Sequence, residues 1–298
     1  MKMARSWLAV ACVWCGLEIS ASATEWYVAT TGDDAAAGTS WDAAKATIQA
    51  GVDAAAVGDT VWVSNGVYDT GGGRAGIGTW PNRVTIDKAI TVRSVNGAEA
   101  TRIVGSGMRC AYVAEGATLV GFMLTNGTTI TQADYPTEND NGGGAYCAGG
   151  VLEQCILTSN RARYFGGGVF GGTLNHCLLR GNRARSSGGG AHGSTLNNCL
   201  IVDNTALYGS GAMHAVLTHC TAVENKGAAY GIGMCKVTNS IVCSNGVNFS
   251  SSTFAFSCTS PDPGGTGIIT NDPRFVNAGA GDYRLAADSP CIGAGDNG

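Results

Sequence analysis

The chain has 298 residues, a formal net charge of −4, 13% charged residues and 44% hydrophobic ones. That apolar share is enough to build a core, which excludes wholesale disorder. The 46 glycines follow no three-residue period, excluding collagen, and the absence of a dense Lys/Arg block leaves no electrostatic footprint for nucleic acid.

The first segment reads as a secretory leader. Lys2 and Arg5 precede an apolar run from Trp7 to Leu17, and Ala21, Ser22 and Ala23 supply the small residues of a cleavage site after Ala23. The run is too short to span a bilayer comfortably, and no later stretch has 18 uninterrupted apolar residues. A secreted or cell-surface protein without a transmembrane segment after cleavage is the expectation, with residues 24–298 as one domain.

Residues 24–68 read as an N-terminal cap and first strand. Within them, residues 41–56 read as an amphipathic helix, with Ile48, Val52 and Ala56 on one face and Ser40 as its cap. Such a helix would cover the open end of a stack of strands and block edge-to-edge association. Residues 61–63, 84–86, 90–92, 102–104 and 119–124 read as strands of irregular first coils. Residues 127–141, rich in Thr, Asp and Asn, read as a long loop over one side.

Residues 142–249 carry a repeat, followed by a C-terminal segment, 250–298. Cys155, Cys177, Cys199 and Cys220 lie 22, 22 and 21 residues apart. GGGAYCAGGVLEQCILTSNRARYF from Gly142, GGGVFGGTLNHCLLRGNRARSS from Gly166 and GGGAHGSTLNNCLIVDNTALYG from Gly188 precede two weaker copies, from Ser210 and Gly231. One such unit cannot bury its apolar side alone, so the pattern means a solenoid. Leu174, Cys177, Leu179 and Asn182 also fit a leucine-rich template, but Arg-Ala-Arg-Ser-Ser-Gly-Gly-Gly then leaves no room for a helix. Short strands joined by glycine-rich bends, an all-β parallel β-helix with coils about 4.8 Å apart, fit better. Calcium-binding nonapeptide repeats are excluded by the absence of their Gly-Asp pattern.

Stacking turns each column of the repeat into a ladder. Ala145, Val169, Ala191 and Ala212 would point inward, as would Leu152, Leu174, Leu196 and Leu217. The cysteine column reads as small buried hydrophobes, not bridges, because stacked thiols all point the same way. Cys110, Cys147, Cys235, Cys243, Cys258 and Cys291 stay open to bridging. Asn160, Asn182, Asn204, Asn225 and Asn245 form an amide ladder at a bend.

Chemistry would sit beside that ladder. Asp203 and Glu224 precede ladder asparagines one rung apart and could act as acid and base or hold calcium, with Arg183 stabilising charge or taking a proton. Arg161, Arg183 and Lys226 follow the asparagines, and Arg163 and Arg185 come two residues later, a basic strip suited to an acidic sugar. The competing reading is a solvated bend with weak cross-rung ion pairs. The column Tyr146, Phe170, His192 and Met213 should face outward, either to stack on sugar rings or to pack beneath the 127–141 loop. His176 and His219 are two rungs apart, too far for a shared metal.

Residues 38–68, GTSWDAAKATIQAGVDAAAVGDTVWVSNGVY, resemble the opening of secreted bacterial right-handed β-helix proteins of the pectin-lyase-like superfamily. Residues 272–298, DPRFVNAGAGDYRLAADSPCIGAGDNG, are similar to the closing segment of choice-of-anchor Q proteins. The glycine-plus-asparagine repeats resemble those of chlamydial polymorphic outer-membrane proteins. The resemblance implies a right-handed helix, and relatives of this kind usually continue past such a tail into another coil and often an anchor. It imports no active-site residue, because the compact catalytic strings of pectate lyases and polygalacturonases are missing. An exported β-helix that binds or processes polysaccharide, in particular an acidic glycan at the cell surface, is the expected function. An adhesin or a passive structural surface protein is the alternative.

Overall fold

The computed structural model describes residues 23–75, 81–129 and 140–296. All but Ala23 of the leader, and the middle of the 127–141 loop, therefore lie outside the described residues. Three sheets wrap one core. Sheet A has ten strands from Glu25–Val28 to Thr253–Ala255; sheet B has nine, from Gly66–Tyr68 to Cys258–Thr259; sheet C has nine, from Arg74–Ala75 to Phe249–Ser250. Neighbouring strands within them pair in parallel, except that Arg74–Ala75 runs antiparallel to Pro81–Ile86. The chain is a right-handed parallel β-helix, the hand that parallel crossovers take.

Period-two alternation in each short strand sets the core. In sheet A, Leu119, Leu152, Leu174, Leu196 and Leu217 stack in register and are fully buried. In sheet B, Ile103, Leu124, Leu157, Leu179 and Ile201 do the same. Sheet C faces them with Ala111, Ala145, Val169, Ala191 and Ala212, small residues that make room for the leucines.

The amide ladder forms as expected. Nδ2 of Asn160, Asn182, Asn204 and Asn225 donates to Oδ1 of the next rung at 3.0, 3.0, 3.0 and 3.1 Å. The same oxygens accept the preceding rung's backbone N–H at 2.9–3.1 Å. Cys155, Cys177, Cys199 and Cys220 are buried, and all ten cysteines among the described residues are free thiols.

Two expected elements change. The 41–56 helix is only a 3-10 turn at Trp41–Ala43 and an α-helix at Ile48–Ala54. Its cap is Thr47, whose hydroxyl accepts from the Ala50 amide at 3.2 Å, while Ser40 caps nothing with its side chain. Asp34 dictates this start by accepting from both the Ala46 and Thr47 amides. The helix buries Ile48, Gln49, Gly51 and Val52, whereas Ala56 lies beyond it and is exposed. Gln49 closes the sheet edge, accepting from the Thr85 amide at 2.7 Å and donating to its carbonyl at 3.3 Å. The 119–124 strand is two, Thr118–Val120 in sheet A and Met123–Thr125 in sheet B, so that Leu119 and Leu124 both reach the core from different walls.

Candidate functional site

Outside the main sheets, Arg161–Ala162 and Arg183–Ala184 form a short parallel pair. Ala162 and Ala184 turn inward and join Ala206 in a small buried cluster, which drives Arg161 and Arg183 outward in register. Thr205 extends the row by bridging to Arg183, and the Lys226 amide bonds to the Asn204 carbonyl one rung on. Arg161, Arg183, Arg185 and Lys226 are exposed, and among the described residues none of them pairs with a carboxylate. Like charges opposite one another on adjacent strands repel. Arg163 is half-buried, its guanidinium 5.7 Å from the Tyr164 ring centroid.

Further round each coil lie the rings of sheet C. Tyr112, Tyr146, Phe170 and His192 form a continuous stack, with centroids 6.0, 5.1 and 5.4 Å apart and the last two rings within 9° of parallel. Phe165 lies 4.7 Å from His192 and so links the arginine segment to the stack. Arg109 braces it from beneath, fully buried, 5.4 Å from the Tyr146 ring centroid and bonded to Asn82 Oδ1 and to the Asn141 and Gly142 carbonyls. Burial lowers the Arg109 guanidinium to about 10, which leaves it a cation at neutral pH. The outward column was expected either to offer ring faces to sugars or to pack beneath the 127–141 loop, whose middle lies outside the described residues. Instead Phe170 and His192 use their faces on each other, and Met213, expected outward, is buried. The stack is a rigid wall beside the arginine row. His192 Nδ1 is buried with no hydrogen-bond partner; burial, and then His214, hold the imidazole down to about 4.

Asp203 and Glu224 both lie on the outer side of a left-handed bend, at φ 56° and 55°. The arginine that meets Asp203 is Arg180, at 3.7 Å, and not Arg183, which leaves the next bend on its own strand. The Tyr283 phenol, from the hairpin Phe275–Asn277 and Asp282–Leu285, is pushed up by burial and by the carboxylates of Glu224 and Asp203. The C-terminal hairpin thus lies against the outside of sheet B, where Tyr283 and Arg284 face Leu200 and Thr221 across a cleft of about 510 Å³. Calcium takes six to eight oxygen ligands. One of the two carboxylates is already paired with Arg180, and among the described residues no three His, Cys, Asp or Glu side chains converge. The donor set does not fit that ion.

Arg180 was legible in the repeat, because it occupies the outward slot of Thr158 and Val202. Phe165 was not, since the same slot holds Ser187 and Tyr208 in the following rungs, and Tyr283 was not, since it acts from a segment without period.

No protein-family model matches the sequence, and no curated protein sequence matches it. Solved structures do resemble the fold. A rhamnogalacturonan lyase superposes with a TM-score of 0.50 at 13% identity, over 79% of this chain and 68% of that one. The pectate lyase Pel9A gives 0.49 at 16% identity, over 84% and 72%. The pectin methylesterase PemA from Erwinia chrysanthemi gives 0.44 at 10%, over 80% of each. At these identities the likeness is one of fold, and it places the chain in the class of parallel β-helix proteins.

Proposed function

We propose that the protein is an exported β-helix that binds an acidic polysaccharide along its axis, with Arg161, Arg183, Arg185 and Lys226 as the contact row. The observation that carries this is the in-register pair Arg161 and Arg183, exposed and without a carboxylate partner among the described residues. An anionic chain laid across the rungs would relieve that repulsion, and coils about 4.8 Å apart repeat on the scale of one sugar residue. Export rests on the leader at residues 1–23, and display at the cell surface on the likeness of residues 272–298 to choice-of-anchor Q tails. A fold shared with a rhamnogalacturonan lyase agrees with a polysaccharide ligand.

A second reading, polysaccharide processing, is favoured by the convergence of Tyr283 with Asp203, Glu224 and Arg180. There the carboxylates would act as acid and base, and Arg180 would take the charge-stabilising part. Affinity electrophoresis through gels containing polygalacturonate tests the binding. Retardation that disappears in an Arg161→Ala/Arg183→Ala protein supports the row, and unchanged retardation rules it out. Incubation with the same polymer separates processing from an adhesin, since turnover must yield new chain ends that Asp203→Asn abolishes.

A further inference from the structure

A separate cleft of about 370 Å³ opens at the N-terminal end of the helix, lined by Trp41, Ser64, Asn65, Val95 and Asn96. The structure assigns to it a second ligand class, a neutral pyranose residue, held by Trp41 and the Asn65–Asn96 amide pair. This inference does not depend on the arginine row.

Three features support it. First, Trp41 is 45% exposed, and Tyr27 braces it edge-to-face at a centroid distance of 4.8 Å instead of stacking on it. Unlike the rings of sheet C, Trp41 is not consumed by a ladder, and an exposed indole is a platform for the apolar face of a sugar.

Second, the amides are pre-arranged. The bends between sheets A and B place Asn65 and Asn96 on adjacent rungs, both exposed, and Asn96 Nδ2 donates to Asn65 Oδ1 at 2.9 Å. This bond fixes both amide planes and leaves Asn65 Nδ2 as a donor and Asn96 Oδ1 as an acceptor with no other partner among the described residues. A donor beside an acceptor suits two neighbouring hydroxyls, one accepting from Asn65 and the other donating to Asn96. The Ser64 hydroxyl is turned toward Tyr68 at 3.2 Å and takes no part.

Third, no lining residue carries a charge, so nothing in the cleft favours a uronate over a neutral sugar. Val95, 44% exposed, adds apolar floor.

Saturation-transfer NMR on the exported chain tests the assignment, with the methyl pyranosides of glucose, galactose and mannose and with galacturonate as probes. At least one neutral pyranoside should receive saturation concentrated on the protons of one ring face, ahead of galacturonate. Trp41→Ala should weaken that binding about tenfold, Trp41→Phe should retain most of it, and Asn65→Ala/Asn96→Ala, both surface positions, should lose it with circular dichroism unchanged. Arg161→Ala/Arg183→Ala should leave it untouched. No transfer to any neutral probe, or equal transfer in Trp41→Ala and the asparagine double variant, would overturn the assignment.

Discussion

Asn204 shows how one side chain holds several coils. Its Nδ2 reaches the Leu179 carbonyl at 2.9 Å, the Val202 carbonyl at 3.0 Å and Asn225 Oδ1 at 3.0 Å, while its Oδ1 takes the Asn182 amide at 2.9 Å. Asn204→Ala leaves the Asn182 N–H and the Leu179 carbonyl buried without that partner, so a loss of about 3 kcal/mol in urea unfolding is expected. His192 makes stability depend on pH. Its folded value, about 4, lies below the ordinary 6.5, so the unfolded chain takes up the proton first. Its contribution is complete above pH 6.5 and is lost as the pH falls from there to about 4. His192→Phe, in a slot already flanked by Phe170 and Phe165, should flatten the stability profile across that window. The thiols divide in the same way. Burial pushes Cys110 up to about 12 and Cys235 to about 11, whereas Cys291 is partly exposed. Alkylation of the native protein near pH 8 should therefore mark Cys291 well ahead of Cys110 and Cys235. The asparagine and cysteine columns could be read in the sequence because a fixed period puts one residue type in one slot. The lowered basicity of His192 could not, because it comes from burial and then from His214, which lies outside its column.

At the scale of elements, glycine carries two different instructions that look alike in the sequence. The Gly166-Gly167-Gly168 run reads as a tight turn, yet of the three only Gly166 has left-handed backbone, at φ 64°. Gly168 is required by the next coil instead, since a Cβ there would lie 2.6 Å from the Gly190 carbonyl oxygen and 3.1 Å from Asn182 Nδ2. The capping helix holds a similar case. A Cβ on Gly51 would lie 2.6 Å from Val28 Cγ2 and 2.9 Å from Val61 Cγ1, so this glycine lets the helix settle on the first coil. Helix propensity alone predicts that Gly51→Ala stabilises by roughly 1 kcal/mol. Overpacking should win, with a net loss of about 1–3 kcal/mol in chemical denaturation. The existence of the helix was legible from Ile48 and Val52, but its start was not, because the cap depends on Asp34, thirteen residues before Thr47.

For the whole molecule, the repeat made the architecture readable, since in-register stacking is a direct image of a 22-residue period. The course of the C-terminal segment was not readable: the hairpin that brings Tyr283 to Asp203 and Glu224 has no period, and those carboxylates belong to coils far earlier in the chain. The arginine partner of Asp203 is Arg180 for a local reason, since Arg183 leaves the next bend on its own strand. The net charge of −4 conceals a local cationic row, because carboxylates elsewhere balance the sum without meeting Arg161, Arg183 or Arg185. Calorimetric titration of an oligogalacturonate into the wild-type protein and into its Arg161→Ala/Arg183→Ala/Arg185→Ala variant, at low and at physiological ionic strength, tests that row most directly. Binding by the wild-type chain should weaken with salt and fall at least about tenfold in the variant. Equal affinity in the two proteins, or no heat with either, would contradict it.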